Sequence, residues 1–390
     1  MLLLVIVGIN GRRGTSVANA FLENKQFRIR GLTSSPGCSA SRNWRTLGVE
    51  IREETFVDEN SVRENFFGAA IIFASTNYDK YFKDRGAKLA CSLCPNMDLH
   101  SFAAAHEVNT GKTIISAAAN TPGLGRFVLA TLPTLPPNAN FATEKGEWQY
   151  RAQAELVKYL TSDHDTLNKK TTLVKPAFRM EDFLKTLRMK DDGTLSCGLS
   201  ASGYIRLPWI NMNADFGSLV HLLAVKSPPG TTIAAFSESI AARDVCEHIS
   251  KISGIMCQFR KYSLDDMDDL GGHIVTDLLP IHPRDTYYES NIIPPSHLAE
   301  HLKQDVPMTS FEEYLKGVLP DRIKALKQAA IDGEMDPAAI KIRQEADEEE
   351  YEDLRQVERQ EVAGGSQEDV FMGYPWSYES MKEMYRDMSI

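Results

Sequence analysis

The sequence predicts an α/β protein, with a doubly wound parallel sheet followed by a smaller α+β domain and a helical C-terminal extension. Three observations predict it. The chain opens on a continuous apolar run, Leu2 to Val7, the pattern of a strand buried on both faces of a parallel sheet. A glycine turn follows at once, Gly8-Ile9-Asn10-Gly11-Arg12-Arg13-Gly14. Downstream, apolar runs alternate with helix-period segments, and such alternation implies right-handed crossovers between parallel strands.

After the turn, Val17, Ala18, Ala20, Phe21 and Leu22 fall on one side of a helix. Residues 27–32 form a second strand and residues 49–51 a third, then residues 61–67 a helix and residues 69–74 a strongly apolar fourth strand. A helix is expected over residues 102–120 and a fifth strand over residues 126–132. Pro133, Pro136 and Pro137 interrupt the pattern before a helix at residues 147–160 and a sixth strand at residues 171–176. From Phe178 the alternation loosens, although residues 210–225 and 239–252 keep the spacing of amphipathic helices. Three parts are therefore expected. Residues 1–177 form the nucleotide-type domain. Residues 178–320 form a smaller substrate or partner domain, with elements free to return to the sheet. Residues 321–390 form a charged helix, a Gly364-Gly365-Ser366 joint and an aromatic tail.

The 390 residues are 43% hydrophobic and 25% charged, ordinary for a globular protein with a large core. The opening apolar run is far shorter than the roughly 20 residues of a membrane span and lacks a signal peptide's flanks. No membrane association is expected, and the location expected is the cytoplasm, the nucleus or both. Cys38, Cys91, Cys94, Cys197, Cys246 and Cys257 are sparse and irregularly spaced, and a structural zinc site needs four ligands. Buried or chance thiols are the expectation, with no metal site. His100, His106, His164 and His221 show no metal spacing either. Of the net charge of −10, the stretch from Gln344 to Glu361 supplies −7, with nine acids against Arg355 and Arg359. Neither part offers the basic surface that phosphate-backbone binding requires, so direct nucleic-acid binding is not expected.

The glycine turn sits where a phosphate-binding turn must, after a buried strand and before a helix. The first glycine reverses the chain, the second lets backbone N–H groups approach a pyrophosphate, and the third lets helix and strand pack closely. The helix N-terminus then offers unpaired donors and partial positive charge. This is a Rossmann dinucleotide site, with Gly8, Asn10, Gly11, Arg12, Arg13 and Gly14 as its turn. Thr33 and Ser34 at the second strand end, and Ser75, Thr76 and Asn77 at the fourth, are expected to complete it. An NAD-preferring site places an acid at the second strand end. Here that end reads Leu32-Thr33-Ser34-Ser35-Pro36, with Arg42 and Arg45 beyond. Hydroxyls and guanidinium groups suit a 2′-phosphate, so NADP(H) is expected over NAD(H). Gly111-Lys112-Thr113 is not a P-loop, because position 106 is His106 and not glycine.

With the turn placed, the chain resembles the NmrA-like branch of the atypical short-chain dehydrogenases. The resemblance rests on Gly8 to Phe21, Ile29 to Thr33, Leu47 to Ile51, Phe73 to Tyr78, Gly111-Lys112, Arg126 to Val128, and Thr172 to Phe183. It runs from Met1 to about Leu270, and more weakly to about Leu319. It implies a protein that either senses NADP(H) and holds a partner, such as a transcription factor, or reduces a bound small molecule, as relatives in secondary metabolism do. Two departures stand out: Ser34 and Thr55 replace an arginine and an aspartate found in many relatives.

Reduction in this superfamily uses a tyrosine with a lysine four residues on, the lysine lowering the phenol's pKa. Here Tyr150 is followed by Ala154, and Gln153 stands where some reductase relatives carry a lone lysine. Thr131 could stand in for the usual serine. Thr131, Tyr150 and Gln153 are therefore weak catalytic candidates. Arg151, Arg179 and Glu181 are candidates for substrate contact. Tyr378 and Lys382, in the tail, have the right spacing but no adjoining site. The favoured expectation is a dinucleotide-responsive regulatory or binding protein; the alternative is an NADP-dependent oxidoreductase. The tail from Phe371 to Tyr378 concentrates aromatics and is expected to pack on a folded surface or a second subunit.

Overall fold

The computed structural model describes residues 1–83, 87–88, 91, 98–133, 144–262 and 307–332. Its centre is a seven-stranded parallel sheet. The strands are β1 (Leu2–Val7), β2 (Phe27–Thr33), β3 (Glu50–Glu53), β4 (Ala69–Ser75), β5 (Arg126–Ala130) and β6 (Thr171–Pro176). The seventh is a late arrival, Thr232–Ala235, which pairs in parallel with β6. Numbered along the chain, the smaller strands are β7 (Phe178–Arg179), β8 (Arg188–Met189), β9 (Leu195–Leu199), β10 (Arg206–Ile210), β12 (Glu238–Ala241) and β13 (Cys257–Lys261), the late strand being β11. The large sheet runs β11-β6-β5-β4-β1-β2-β3, and two three-stranded sheets run β12-β10-β7 and β13-β9-β8. The chain turns from β1 to β2 on one side, and β4 lies on the other. That reversal is the topological switch point at which doubly wound sheets bind ligands.

Period-two alternation divides the strands between two cores. Leu4, Ile6, Ile71, Phe73, Val128 and Val174 face one core, while Leu3, Val5, Val7, Ile72, Phe127 and Leu129 face the other. The second core is covered by α3 (Glu59–Phe66) and by the helices Leu99–Ala119 and Glu144–Asp163. The first is covered by α1 (Arg12–Leu22) and by the later helix Gly217–Lys226. These two helices cross closely. Ser16 Oγ donates to Met212 O at 2.6 Å and accepts from Gly217 N–H at 2.9 Å. A methyl group on Gly217 would lie 1.9 Å from Ser16 O, so only glycine fits.

Several expected elements differ. Residues 210–225 are not one helix: β10 ends at Ile210, a π-helical turn spans Met212–Phe216, and the helix proper begins at Gly217. Asn211 forces the break, its side chain accepting from Ala214 N–H. Residues 239–241 belong to β12, because β10 pairs with them from Arg206 to Pro208; the helix is Ala242–Ser253. A helix at Ser39–Thr46, α2, was not expected from the sequence. The C-terminal helix begins at Phe311, not near Asp321, and runs to Asp332. Its buried stripe of Phe311, Leu315, Leu319, Ile323 and Leu326 joins the first core, with Phe311 edge-on to Trp209 at 5.4 Å. The acidic stretch beyond Gln344, the glycine joint and the aromatic tail lie outside the described residues. Among the described residues no helix is long and apolar enough to cross a membrane.

Candidate functional site

Gly8 has φ +70°, the left-handed region that favours glycine. Its carbonyl accepts the Gly11 N–H at 3.0 Å. A Cβ on Gly14 would meet that carbonyl oxygen at 2.3 Å and Ile9 Cα at 2.8 Å, and one on Gly11 would meet it at 3.2 Å. The three glycines therefore close one tight turn at the carboxyl end of β1. An α-helix leaves its first N–H groups without intrahelical acceptors. Gly11 is the N-cap of α1, and no side chain caps it. The cradle fits a diphosphate on its own geometry.

Asn10 fastens this turn to the end of β2. Its Nδ2 lies 3.0 Å from Thr33 Oγ1, 2.8 Å from Ser41 Oγ and 3.2 Å from Cys38 Sγ. Its Oδ1 is buried without a hydrogen-bond partner. Thr33 Oγ1 also accepts from Ser35 N–H at 3.1 Å, and Ser41 Oγ donates to Ser35 O at 2.9 Å. Ser34, half-buried, thus sits in a loop held from both sides. Arg45 donates to Pro36 O at 2.7 Å and Arg42 to Gly37 O, so both bind the same loop. Arg12 reaches across to Asp182 at 3.1 Å. Asp182 is buried and also paired with Arg179 and with Lys185. Burial alone would push its carboxyl up, but the cations of Arg179, Lys185 and Arg12 hold it below the usual range. Glu54, just beyond β3, is engaged with Phe56 N–H, Ser61 Oγ and Asn65 Nδ2. Glu181, another candidate, accepts from Asn213 N–H at 3.4 Å.

The end of β4 approaches the turn, Ser75 O lying 3.9 Å from the position a Gly8 Cβ would take. Ser75 and Thr76 are half-buried there and Asn77 is exposed. Thr76 leads inward. Its hydroxyl is 2.6 Å from Glu107 Oε1 and accepts from Gln153 Nε2 at 2.7 Å. Gln153 Nε2 also donates to Glu107 Oε1 at 2.7 Å. Glu107 is 2% exposed, and its Oε2 is buried without a hydrogen-bond partner. Burial outweighs the hydrogen bonds from Thr76 and Gln153 and the nearby charge of Arg13, raising its pKa to about 7.

Thr76 and Gln153 therefore meet each other directly, and both bind an acid that the sequence does not single out. Its signal was a lone carboxylate within the apolar run Phe102-Ala103-Ala104-Ala105-His106-Glu107-Val108. Tyr150 is buried one turn before Gln153 on the same helix. Thr131 is buried just beyond β5, with its N–H donating to Val174 O.

The strand order, the switch point and the glycine turn define a Rossmann-type α/β protein. The chain belongs to the NmrA-like family, which matches residues 2–315. It is 23% identical to the NmrA-like family domain-containing oxidoreductase cpsB of Aspergillus campestris, over 69% of this chain and 78% of that protein. It is 22% identical to the oxidoreductase FrzB of Cladobotryum sp, over 66% and 75%. Among solved structures it is similar to NmrA, a negative transcriptional regulator, in complex with NADP. The TM-score is 0.60 and the identity 14%, over 83% of this chain and 97% of that one.

Proposed function

We propose that this chain is an NADP(H)-dependent oxidoreductase that reduces a small molecule at the carboxyl ends of β1 and β4. The observation that carries the reading is the Thr76–Glu107–Gln153 group. A catalytic acid works best with a pKa near the working pH, and buried carboxyls with shifted pKa values concentrate at functional sites. Relatives named as oxidoreductases support the same reading.

The nicotinamide cofactor supplies the hydride when bound. The Gly8–Gly14 turn and the start of α1 receive its diphosphate, and Asn10 holds that turn against Thr33. The absence of an acid at the end of β2, with Thr33 and Ser34 there and Arg42 and Arg45 bound to the loop that follows, supports a 2′-phosphate. With Glu107 ionised, Thr76 Oγ1 donates to its Oε1 across 2.6 Å; protonation of Glu107 reverses that contact, so that Oε1–H donates to Thr76 Oγ1. Half-buried Thr76 passes its own proton outward to the substrate as it takes the one from Glu107. Gln153 is a positioning residue, its amide fixing both oxygens where some relatives carry a lysine.

The test is Glu107→Gln, which keeps an acceptor for Thr76 and Gln153 but removes the acid. Dinucleotide affinity by calorimetry should stay unchanged, while single-turnover oxidation of NADPH by carbonyl and imine acceptors should fall about 10²–10⁴-fold. An unaltered rate would remove Glu107 from the chemistry. Binding of NADPH without turnover by the unmodified chain would favour the regulatory reading, for which Ala154 in place of a lysine speaks.

A further inference from the structure

Three cysteines that are far apart in sequence converge in the second half of the chain. Cys197 lies on β9, Cys246 on the helix Ala242–Ser253, and Cys257 opens β13. Cys197 Sγ is 3.3 Å from Cys246 Sγ and 3.8 Å from Cys257 Sγ, and all three sulfurs lie within 4.8 Å of one another. They are 0%, 2% and 8% exposed, and all are free thiols. The backbone holds the triangle in place. Ser250 Oγ donates to Cys246 O at 2.9 Å and accepts from Cys257 N–H at 2.8 Å. Gly254, with φ +70°, turns the helix back towards β13. β13 pairs in parallel with β9, in register from Cys257 to Lys261.

We propose that Cys197, Cys246 and Cys257 form a buried three-sulfur site for a soft, closed-shell monovalent cation, with Cu(I) as the physiological occupant. Three sulfurs at about 2.3 Å from a central ion stand roughly 4 Å apart in a plane. To reach that, the Cys197–Cys246 edge of 3.3 Å opens by about 0.7 Å and the Cys197–Cys257 edge of 3.8 Å by about 0.2 Å, the third edge already lying within 4.8 Å. Thiolate sulfur selects Cu(I), zinc and iron–sulfur clusters. Zinc in structural sites takes four ligands, and among the described residues no further His, Cys, Asp or Glu joins this group. A three-coordinate ion is what the donor set fits. Lys190 and Arg243 act electrostatically on the sulfurs and offset part of the negative charge of the loaded site. Loading transfers the ligating thiols' protons to solvent and moves no electrons between metal and sulfur.

The experiment uses the full chain, reduced and anaerobic, with Cys38, Cys91 and Cys94 replaced by serine to remove competing thiols. Cu(I) is titrated in against bicinchoninate, and the retained metal is examined by X-ray absorption. One equivalent held by three sulfur neighbours, with a thiolate-to-metal band in the near ultraviolet, is the expected result. Cys257→Ser, at the most peripheral position, should lower affinity at least tenfold while leaving the circular dichroism spectrum unchanged. No retention against the competitor, two or fewer sulfur neighbours, or retention of Zn(II) in preference to Cu(I) would each overturn the site. The sulfur count needs no ligand variant, so the proposal remains testable even if Cys257→Ser does not fold.

Discussion

Glu107 has a thermodynamic signature as well as a chemical one. Its folded pKa of about 7 lies above the ordinary 4.5, so between those values the folded chain binds more protons than the unfolded one. Stability is therefore shed as pH rises from 4.5 through 7, by about 3 kcal/mol from this one group. Glu107→Gln should flatten that slope and raise the melting temperature at pH 8, read by thermal unfolding at several pH values. On the proposed mechanism, in which the protonated form is the donor, turnover should also fall as pH rises through 7. The sequence showed the glycine turn plainly, because glycine there is a steric demand visible in one dimension. It did not show Glu107, because burial and partnership with Thr76 and Gln153 are set by the packing of two helices on β4. The convergence of Cys197, Cys246 and Cys257 was hidden for the same reason.

Single elements rest on a few close contacts. The crossing of α1 with the helix Gly217–Lys226 has no room for a methyl group, 1.9 Å from Ser16 O. Gly217→Ala should cost about 3 kcal/mol, measured by denaturant unfolding, and should also weaken dinucleotide binding, because α1 carries the cradle. The short helix Met180–Lys185 is fastened by buried Asp182 and its three cations. Asp182→Asn leaves those cations without their carboxylate and should destabilise by about 3 kcal/mol. The depressed pKa of Asp182 works in the opposite sense to that of Glu107: its stabilisation is present above the ordinary carboxylate value and is lost as pH falls through the folded one. Asp182→Asn should remove that acid-side loss. Long apolar strands and the Leu99–Ala119 helix were legible, since period and burial agree along them. The residues 206–217 were not, because Asn211 and strand pairing override the helical spacing. The upstream half of the C-terminal helix was missed because its stripe starts at Phe311, before the charge-rich segment that drew the reading.

At the scale of the molecule, the sheet's first core is shared between the two halves of the chain. Leu4, Ile6, Val17 and Phe21 pack in one cluster with Phe216, Leu219, Val220 and Leu223. A chain ending at residue 177 would leave that face bare and the edge of β6 unpaired, and bare edges invite association. Such a fragment should elute as aggregate in size-exclusion chromatography and bind a hydrophobic dye, whereas a monomeric, cooperatively melting fragment would show that residues 1–177 stand alone. The alternation of strands and helices up to Pro176 was readable at this scale. The return of Thr232–Ala235 was not assigned, because a four-residue strand carries too little pattern to name its partner.

The position of β11 also imposes an order on biosynthesis. The sheet's last partner is translated only after the whole span from Pro176 to Ala235, at bacterial-to-eukaryotic rates of about 5–20 residues per second. For several seconds the ribosome presents six finished strands with an open border and an uncovered oily face. A nascent chain in that state is a natural client for holding chaperones, and its yield in a cell depends on how well that interval is guarded.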